Sequence, residues 1–259
     1  MEPQRTVLIT GANGKIGSGF RDEHARLYRD DYALRVNGRR PIADTRYPDE
    51  VTADITDAAG MRRACEGIDT VVHLAASPEW QGDFCDELFQ PNIIGAYTVF
   101  DAARRAGCRR IVYASSVHAI MGYPVDVQAH HDDPPRPDTM YGVTKVFGEA
   151  LCASFAYEHG ISCIAIRIGA YVADDERAKV RDSANPQLLD IVISQRDMAQ
   201  LIHRCIMAPP DVRYAIVNGL SDNRFKRMDI ESARALGYAP RDDAFAWSEE
   251  VELGPEVKV

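Results

Sequence analysis

Tyr141 and Lys145 are four residues apart in "YGVTK". On a helix that spacing puts both on one face. An ammonium held beside a phenol favours the phenolate and draws its pKa down, so the pair can take a proton from a hydroxyl as hydride leaves the adjoining carbon. The same lysine can also hold the ribose of a nicotinamide cofactor. Upstream, "RIVYASSVHAIMGYP" runs an apolar segment into Ser115 and Ser116, followed by Val117 and His118. Serines at the end of such a run can be turn formers or hydroxyls aimed into a cleft. Near the start, "TGANGKIG" places Gly11, Gly14 and Gly17 at GxxGxxG spacing. Bare backbone N–H groups at a helix N-terminus are what a pyrophosphate accepts, and side chains would block the approach. The trio points to a dinucleotide.

Positioning these groups takes alternating elements. Residues 5–10 read as a strand, the glycine loop follows, and a helix starts near Ile16. Residues 32–36, 50–55, 69–76 and 110–114 read as further strands, and Asp57 can cap the helix ending at Cys65. A helical region covers roughly 84–106, with Pro91 suited to the start of its second helix. A long helix spans 139–159, then a strand at 161–169 and a helix at 196–208, and the segments 214–219 and 229–238 finish the ordered part. Near-continuous apolar strands alternating with helices are the pattern of a parallel sheet covered on both faces. Residues 130–138 and 173–186 read as polar loops, the second long enough to be a lid.

The turn after the second strand reads "NGRRPI". A carboxylate there would hold both adenosine ribose hydroxyls and select NAD; instead Asn37, Gly38, Arg39 and Arg40 offer two guanidiniums to a 2′-phosphate. The cofactor is NAD or NADP, with the balance leaning to NADP. Asp54 is placed to meet the adenine amino group or simply to cap a turn. Ser77, and Glu79 beside it, follow the fourth strand and could line the substrate cleft, with Trp80 and Tyr123 as walls. His73, inside a strand, reads as structural.

In order along the chain, TGANGKIG, ADI, HLAA, PNIIG, YASS, YGVTK and RIG resemble the extended short-chain dehydrogenase/reductase superfamily in its NAD-dependent epimerase/dehydratase branch. The resemblance implies a Rossmann-type doubly wound parallel α/β sheet. It implies catalysis by Ser116 polarising the reacting oxygen, Tyr141 as acid–base and Lys145 assisting, with Asn92 supporting the lysine through water. It implies cofactor contacts from Gly11, Asn13, Gly14, Lys15, Ile16, Gly17, Asn37, Arg39, Arg40, Asp54, Ile55, Leu74, Ala75, Ala76, Tyr141, Lys145 and Ile168. "ASSVHAIMGYP", "RPDTMYGVTKVFGE" and "IRIGAY" narrow the likeness to the compact uronate dehydrogenase subgroup and a similar archaeal glucose-6-phosphate dehydrogenase type, which oxidise the C1 hydroxyl of a cyclic sugar. The subgroup pattern carries asparagine where this chain has Val117, and serine where it has Ala170. The carboxylate-gripping arginine of that pattern would fall on Arg177 or Arg181. Ser77, Ser116, Val117, His118, Tyr141, Ala170, Arg177 and Arg181 are the expected substrate contacts. A nucleotide-binding core over 1–169 and a small substrate-binding portion over 170–259, interleaved with it, follow. A homodimer or higher homo-oligomer through the helices near 92–106 and 139–157 is implied as well.

The redox groups outlast the sugar-reading ones, so the expectation is an NAD(P)-dependent oxidoreductase on a carbohydrate-like hydroxyl, most plainly an anomeric one. A sugar-nucleotide epimerase or dehydratase is the first alternative, and the short stretch after Gly169 argues against it. A cofactor-sensing protein without catalysis is the second. The 259 residues carry a net charge of −9, which disfavours a nucleic-acid partner. No apolar run reaches the ~20 residues of a membrane helix, no CxxC pair occurs among the six cysteines, which read as small buried hydrophobes, and His130–Asp133 reads as solvated loop without metal. A soluble cytoplasmic protein is expected.

Overall fold

The computed structural model describes residues 5–183 and 185–249. Strand β1 (Thr6–Thr10) leads through the glycine loop to α1 (Lys15–Leu27), then β2 (Ala33–Gly38), β3 (Glu50–Thr52), α2 (Ala58–Cys65) and β4 (Thr70–His73). A π-helix (Phe84–Gly95) runs into α3 (Ala96–Arg105), followed by β5 (Arg110–Ser116), α4 (Met140–His159) and β6 (Ser162–Ile168). The remaining elements are β7 (Ala170–Val172), α5 (Arg177–Ser183), α6 (Pro186–Leu189), β8 (Val192–Ser194), α7 (Gln195–Met207), β9 (Tyr214–Gly219), α8 (Glu231–Ala235) and α9 (Ala244–Glu249).

Seven strands form one sheet in the order β3-β2-β1-β4-β5-β6-β9, and every pairing is parallel. β4, β5 and β6 are buried along their whole length, as expected of strands covered on both faces. One face carries Val7, Ile9, Val72, Val112 and Ile164 against α1 and α7. The other carries Leu8, Val71, Ile111 and Cys163 against the helices α2, α3 and α4. The chain order reverses between β1 and β4, and such a switch point opens a crevice at the carboxyl ends of the strands. The segment after Gly169 interleaves with the core: β9 completes the sheet, while β7 and β8 pair separately, Ala170 opposite Val192.

Three local expectations are corrected. Pro91 does not begin a helix. It lies inside the π-helix, where Leu88 N–H donates to Asp83 O five residues back (3.2 Å); the wider turn accommodates a residue without an N–H and rotates Asn92 inward, 2% exposed. Residues 173–186 are not a plain loop. Asp174, Asp175 and Glu176 form a 3₁₀ turn ahead of α5; acids before a helix start favour that start electrostatically, and Asp174 also pairs with Arg177 (2.8 Å). Cys85 is exposed, although the other five cysteines are buried as expected.

α4 is fixed tightly. Thr139 Oγ1 accepts from Gly142 N–H (3.1 Å) at its N-terminus, and Gly160 ends it at φ 70°. Gly148 lies against the buried Tyr113 ring of β5, and a Cβ there would overlap the ring. Gly148→Ala is expected to cost about 1–3 kcal/mol of stability through overpacking, measurable as a lower urea midpoint at unchanged m-value.

Candidate active site

A cleft of about 890 Å³ lies along the carboxyl ends of the strands, lined by Gly11, Asn13 and Gly14, by Asn37–Arg40, by Ala53–Thr56, and by Leu74–Glu79 with Gln90 and Pro91. Its shape suits a nicotinamide dinucleotide. Gly11 sits at φ +71°, and a Cβ on it would come within 2.7 Å of Ala75 N, so only glycine lets the two loops meet. A Cβ on Gly17 would overlap Gly11 O. α1 starts at Gly14 with no side-chain cap and no acid in its first turn, which leaves its N-terminus open to an anion. Ile16 packs into the core beneath. Lys15 Nζ reaches Glu176 Oε2 (2.5 Å), linking the glycine loop to the 3₁₀ turn.

At the end of β2, Asn37 Nδ2 donates to Val51 O (2.9 Å) and Ala53 O (3.1 Å), while its buried Oδ1 has no hydrogen-bond partner. A buried acceptor without a donor is what an incoming hydroxyl would satisfy. Arg39 and Arg40 are exposed at the cleft mouth, and Asn13 Nδ2 donates to Arg40 O (3.3 Å). Asp54 lines the cleft and also holds its own turn, Oδ1 accepting from Thr56 N (2.9 Å) and Thr56 Oγ1 (2.7 Å). Ile55 is buried against Gly95. His73 is buried and bonded to Thr10 Oγ1 (2.7 Å); burial first, then the Lys145 charge, pushes it down to about 3, so it is a neutral structural ring.

The Ser-Tyr-Lys groups lie where β5 ends and α4 begins. β5 runs on through both serines, and Ser116 then caps the 3₁₀ turn Val117–Ala119, so it closes a strand and opens a turn. Ser116 is 6% exposed, and its Oγ accepts from His118 N–H (3.2 Å). With a lone pair so occupied, its proton remains to be donated. Tyr141 and Lys145 enter from the first turns of α4. Lys145 Nζ donates to Ala114 O (3.1 Å) and lies 5.3 Å from the centre of the Tyr141 ring. Burial lowers Lys145 to about 8. Burial raises Tyr141, and a hydrogen bond from Ser116 draws it back. The lysine therefore faces the ring rather than the hydroxyl, and desolvation outweighs the phenolate stabilisation expected from the spacing.

Asn92 clamps rather than touches the lysine. Its Oδ1 accepts from Ser77 N–H (2.7 Å) and its Nδ2 donates to Thr144 Oγ1 (3.1 Å), one residue from Lys145. His118 pairs with Asp138 Oδ1 (3.1 Å), stacks on Trp80 (5.6 Å, 14°) and meets Tyr141 edge-on (5.6 Å). Val117 is buried in a cluster with Leu220, Met228 and Ile230, and Tyr123 packs on that cluster. Ala170, after Ile168 at the end of β6, presents a methyl and donates its N–H to Ile191 O (2.8 Å). Arg177 is not brought to the site: it pairs with Asp174 (2.8 Å) and Asp242 (3.7 Å) and covers the Trp247 ring. The side chain of Arg181 lies outside the described residues. Asp138, Thr144 and Glu149 were not singled out from the sequence; Glu149 was legible as the third member of the 141, 145, 149 helix face.

The model of the NAD dependent epimerase/dehydratase family matches residues 7–193. Uronate dehydrogenase of Pseudomonas putida is 33% identical over 98% of this chain and 90% of its own length. The NAD-dependent glucose-6-phosphate dehydrogenase of Haloferax volcanii is 34% identical over 95% and 97%. Among solved structures, a uronate dehydrogenase variant from Agrobacterium tumefaciens complexed with NAD is 31% identical, covering 98% of this chain and 92% of its own, with a TM-score of 0.82. Motifs, topology and relatives agree, and the chain belongs to the NAD dependent epimerase/dehydratase family, as a dehydrogenase acting on CH–OH groups.

Proposed function

We propose that this protein oxidises the anomeric hydroxyl of a cyclic sugar or sugar acid to the lactone. The observation that carries the reading is the convergence of Ser116, Tyr141 and Lys145 where β5 and α4 meet. A nicotinamide cofactor, when bound, accepts the hydride. Ser116 donates a hydrogen bond to the sugar oxygen and orients it. Tyr141, in the phenolate form that burial disfavours and Ser116 favours, takes the hydroxyl proton as the C–H bond breaks. Lys145 supplies positive charge under the ring, and Asn92 keeps the Ser77 loop and α4 in step. Orientation and fixed charge provide most of the acceleration.

His118 brings a ring nitrogen and the stacked Trp80 an apolar face beside Tyr141, while Arg177 is held by Asp174 and Asp242. A neutral sugar suits this better than a uronate. The Gly38-Arg39-Arg40 turn favours NADP; Arg39→Ala with Arg40→Ala is expected to raise KM for NADP about tenfold, the value of one charge-assisted contact, and to leave KM for NAD within twofold. The test is a panel of aldoses, sugar phosphates and uronic acids with each cofactor, read as reduced nicotinamide and as lactone. Turnover of neutral or phosphorylated sugars supports the reading. Formation of a C4 epimer without reduced cofactor would replace it with epimerase chemistry.

A further inference from the structure

Adjacent serines on a strand point to opposite faces, so Ser115 cannot face Tyr141 alongside Ser116. Ser115 Oγ instead donates to Glu149 Oε1 (2.6 Å) on α4. Glu149 in turn receives Arg167 Nε on Oε1 (2.9 Å) and Arg167 Nη2 on Oε2 (3.0 Å). Arg167 stands beside Ser115 in the β5–β6 register, and its Nη1 donates to His131 O (3.4 Å), in the loop that leads to Asp138 and the Thr139 cap. The ionic side chains are 1% and 3% exposed. One point therefore ties β5, β6, α4 and the loop before α4 together.

A buried ion pair is a poor source of stability. Desolvation consumes much of its attraction, and apolar residues of the same volume serve equally well or better. What such a pair does provide is direction, since a bidentate guanidinium–carboxylate contact admits one geometry. Tyr141, Lys145 and Glu149 lie at successive four-residue steps on α4, so fixing Glu149 fixes the rotation and height of the other two. Fixing Ser115 fixes the strand end that carries Ser116.

We infer that Ser115, Glu149 and Arg167 are positioning residues for the reaction, a buried clamp that sets Ser116 against Tyr141. The inference rests on Tyr141 being the acid–base group of the proposed dehydrogenase.

Two variants test it. Ser115→Ala keeps the ion pair and cuts its tie to the strand. Glu149→Met combined with Arg167→Met removes the clamp without leaving a lone buried charge. Each is assayed for kcat, for cofactor KM, and for the Tyr141 titration in the cofactor-free protein, followed as the phenolate absorbance missing from Tyr141→Phe. Misplacement of reacting groups by about an ångström costs up to about 100-fold. Ser115→Ala is expected to lose about three- to tenfold in kcat and the double variant about 30- to 100-fold, with cofactor KM unchanged within about twofold and Tyr141 titrating at higher pH as its Ser116 hydrogen bond loosens. A kcat and a Tyr141 titration unchanged in Ser115→Ala would overturn the inference, even if the double variant failed to fold. Absence of sugar turnover by the unsubstituted protein contradicts the proposed function instead, and leaves the Tyr141 titration to decide on the clamp.

Discussion

Tyr141→Phe is expected to lower kcat by about 10²–10⁴-fold, the usual worth of a positioned acid–base group. It removes one oxygen from a ring packed edge-on against His118 and beside Lys145. The ring stays, so the cofactor Kd is expected to hold within twofold and the thermal midpoint to move little. The cleft lined by Gly11, Asn37 and Ala75 does not have Tyr141 among its walls. Equilibrium titration of nicotinamide cofactor against the variant, alongside steady-state kinetics, separates the two effects. A joint loss of binding and turnover would place Tyr141 in the cofactor cradle rather than at the reacting hydroxyl.

The second large effect comes from Lys145, in opposite directions for activity and stability. Burial brings its pKa from 10.5 to about 8 in the folded protein. Between those values the unfolded chain holds a proton that the folded chain has released, so folding stability rises with pH across that window and the full penalty is present below about pH 8. The gap corresponds to roughly 3 kcal/mol, against which the hydrogen bond to Ala114 O returns about 1 kcal/mol. Lys145→Met is therefore expected to abolish turnover and to stabilise the protein at pH 7 by about 2 kcal/mol. Urea unfolding at pH 7 and at pH 10.5 checks the sign: the advantage of the variant shrinks at the higher pH. A loss of stability at neutral pH would mean that the ammonium is better solvated than its 3% exposure implies.

Much of this was legible because it rests on local rules. The apolar runs became strands buried on both faces, Asp57 accepted from Ala59 N–H at the start of α2, and Gly11 and Gly17 proved to be places where a Cβ has no room. The i, i+4 spacing of Tyr141 and Lys145 brought them together because Thr139 starts the helix two residues before the tyrosine.

Other features depend on contacts distant in sequence. Pro91 reads as a helix start by its own chemistry, yet the wider turn that contains it is set by Asn92 reaching Ser77 and Thr144 on other elements. Arg177 reads as a free cation in a charged stretch until Asp242 and Trp247, far along the chain, are brought to it. Val117, expected among the substrate contacts because it replaces an asparagine, is instead buried under Leu220, Met228 and Ile230, which come from far along the chain. Glu149 shares the 141–145 helix face in sequence, but its partner Arg167 comes from the next strand. The expected phenolate stabilisation failed for a related reason: spacing fixes the distance between two side chains but not how far each is withdrawn from water.

Hydride removal from a sugar carbon at the Ser116–Tyr141–Lys145 site is tested by following the hydrogen itself. C1-deuterated aldoses, sugar phosphates and uronates are incubated with the protein and oxidised nicotinamide cofactor, and the reduced cofactor is examined by mass spectrometry. One deuterium is expected on the nicotinamide, with a lactone as the other product, and none is transferred in Tyr141→Phe. Reduced cofactor without deuterium, or deuterium transfer undiminished in Tyr141→Phe, would contradict hydride removal at this site.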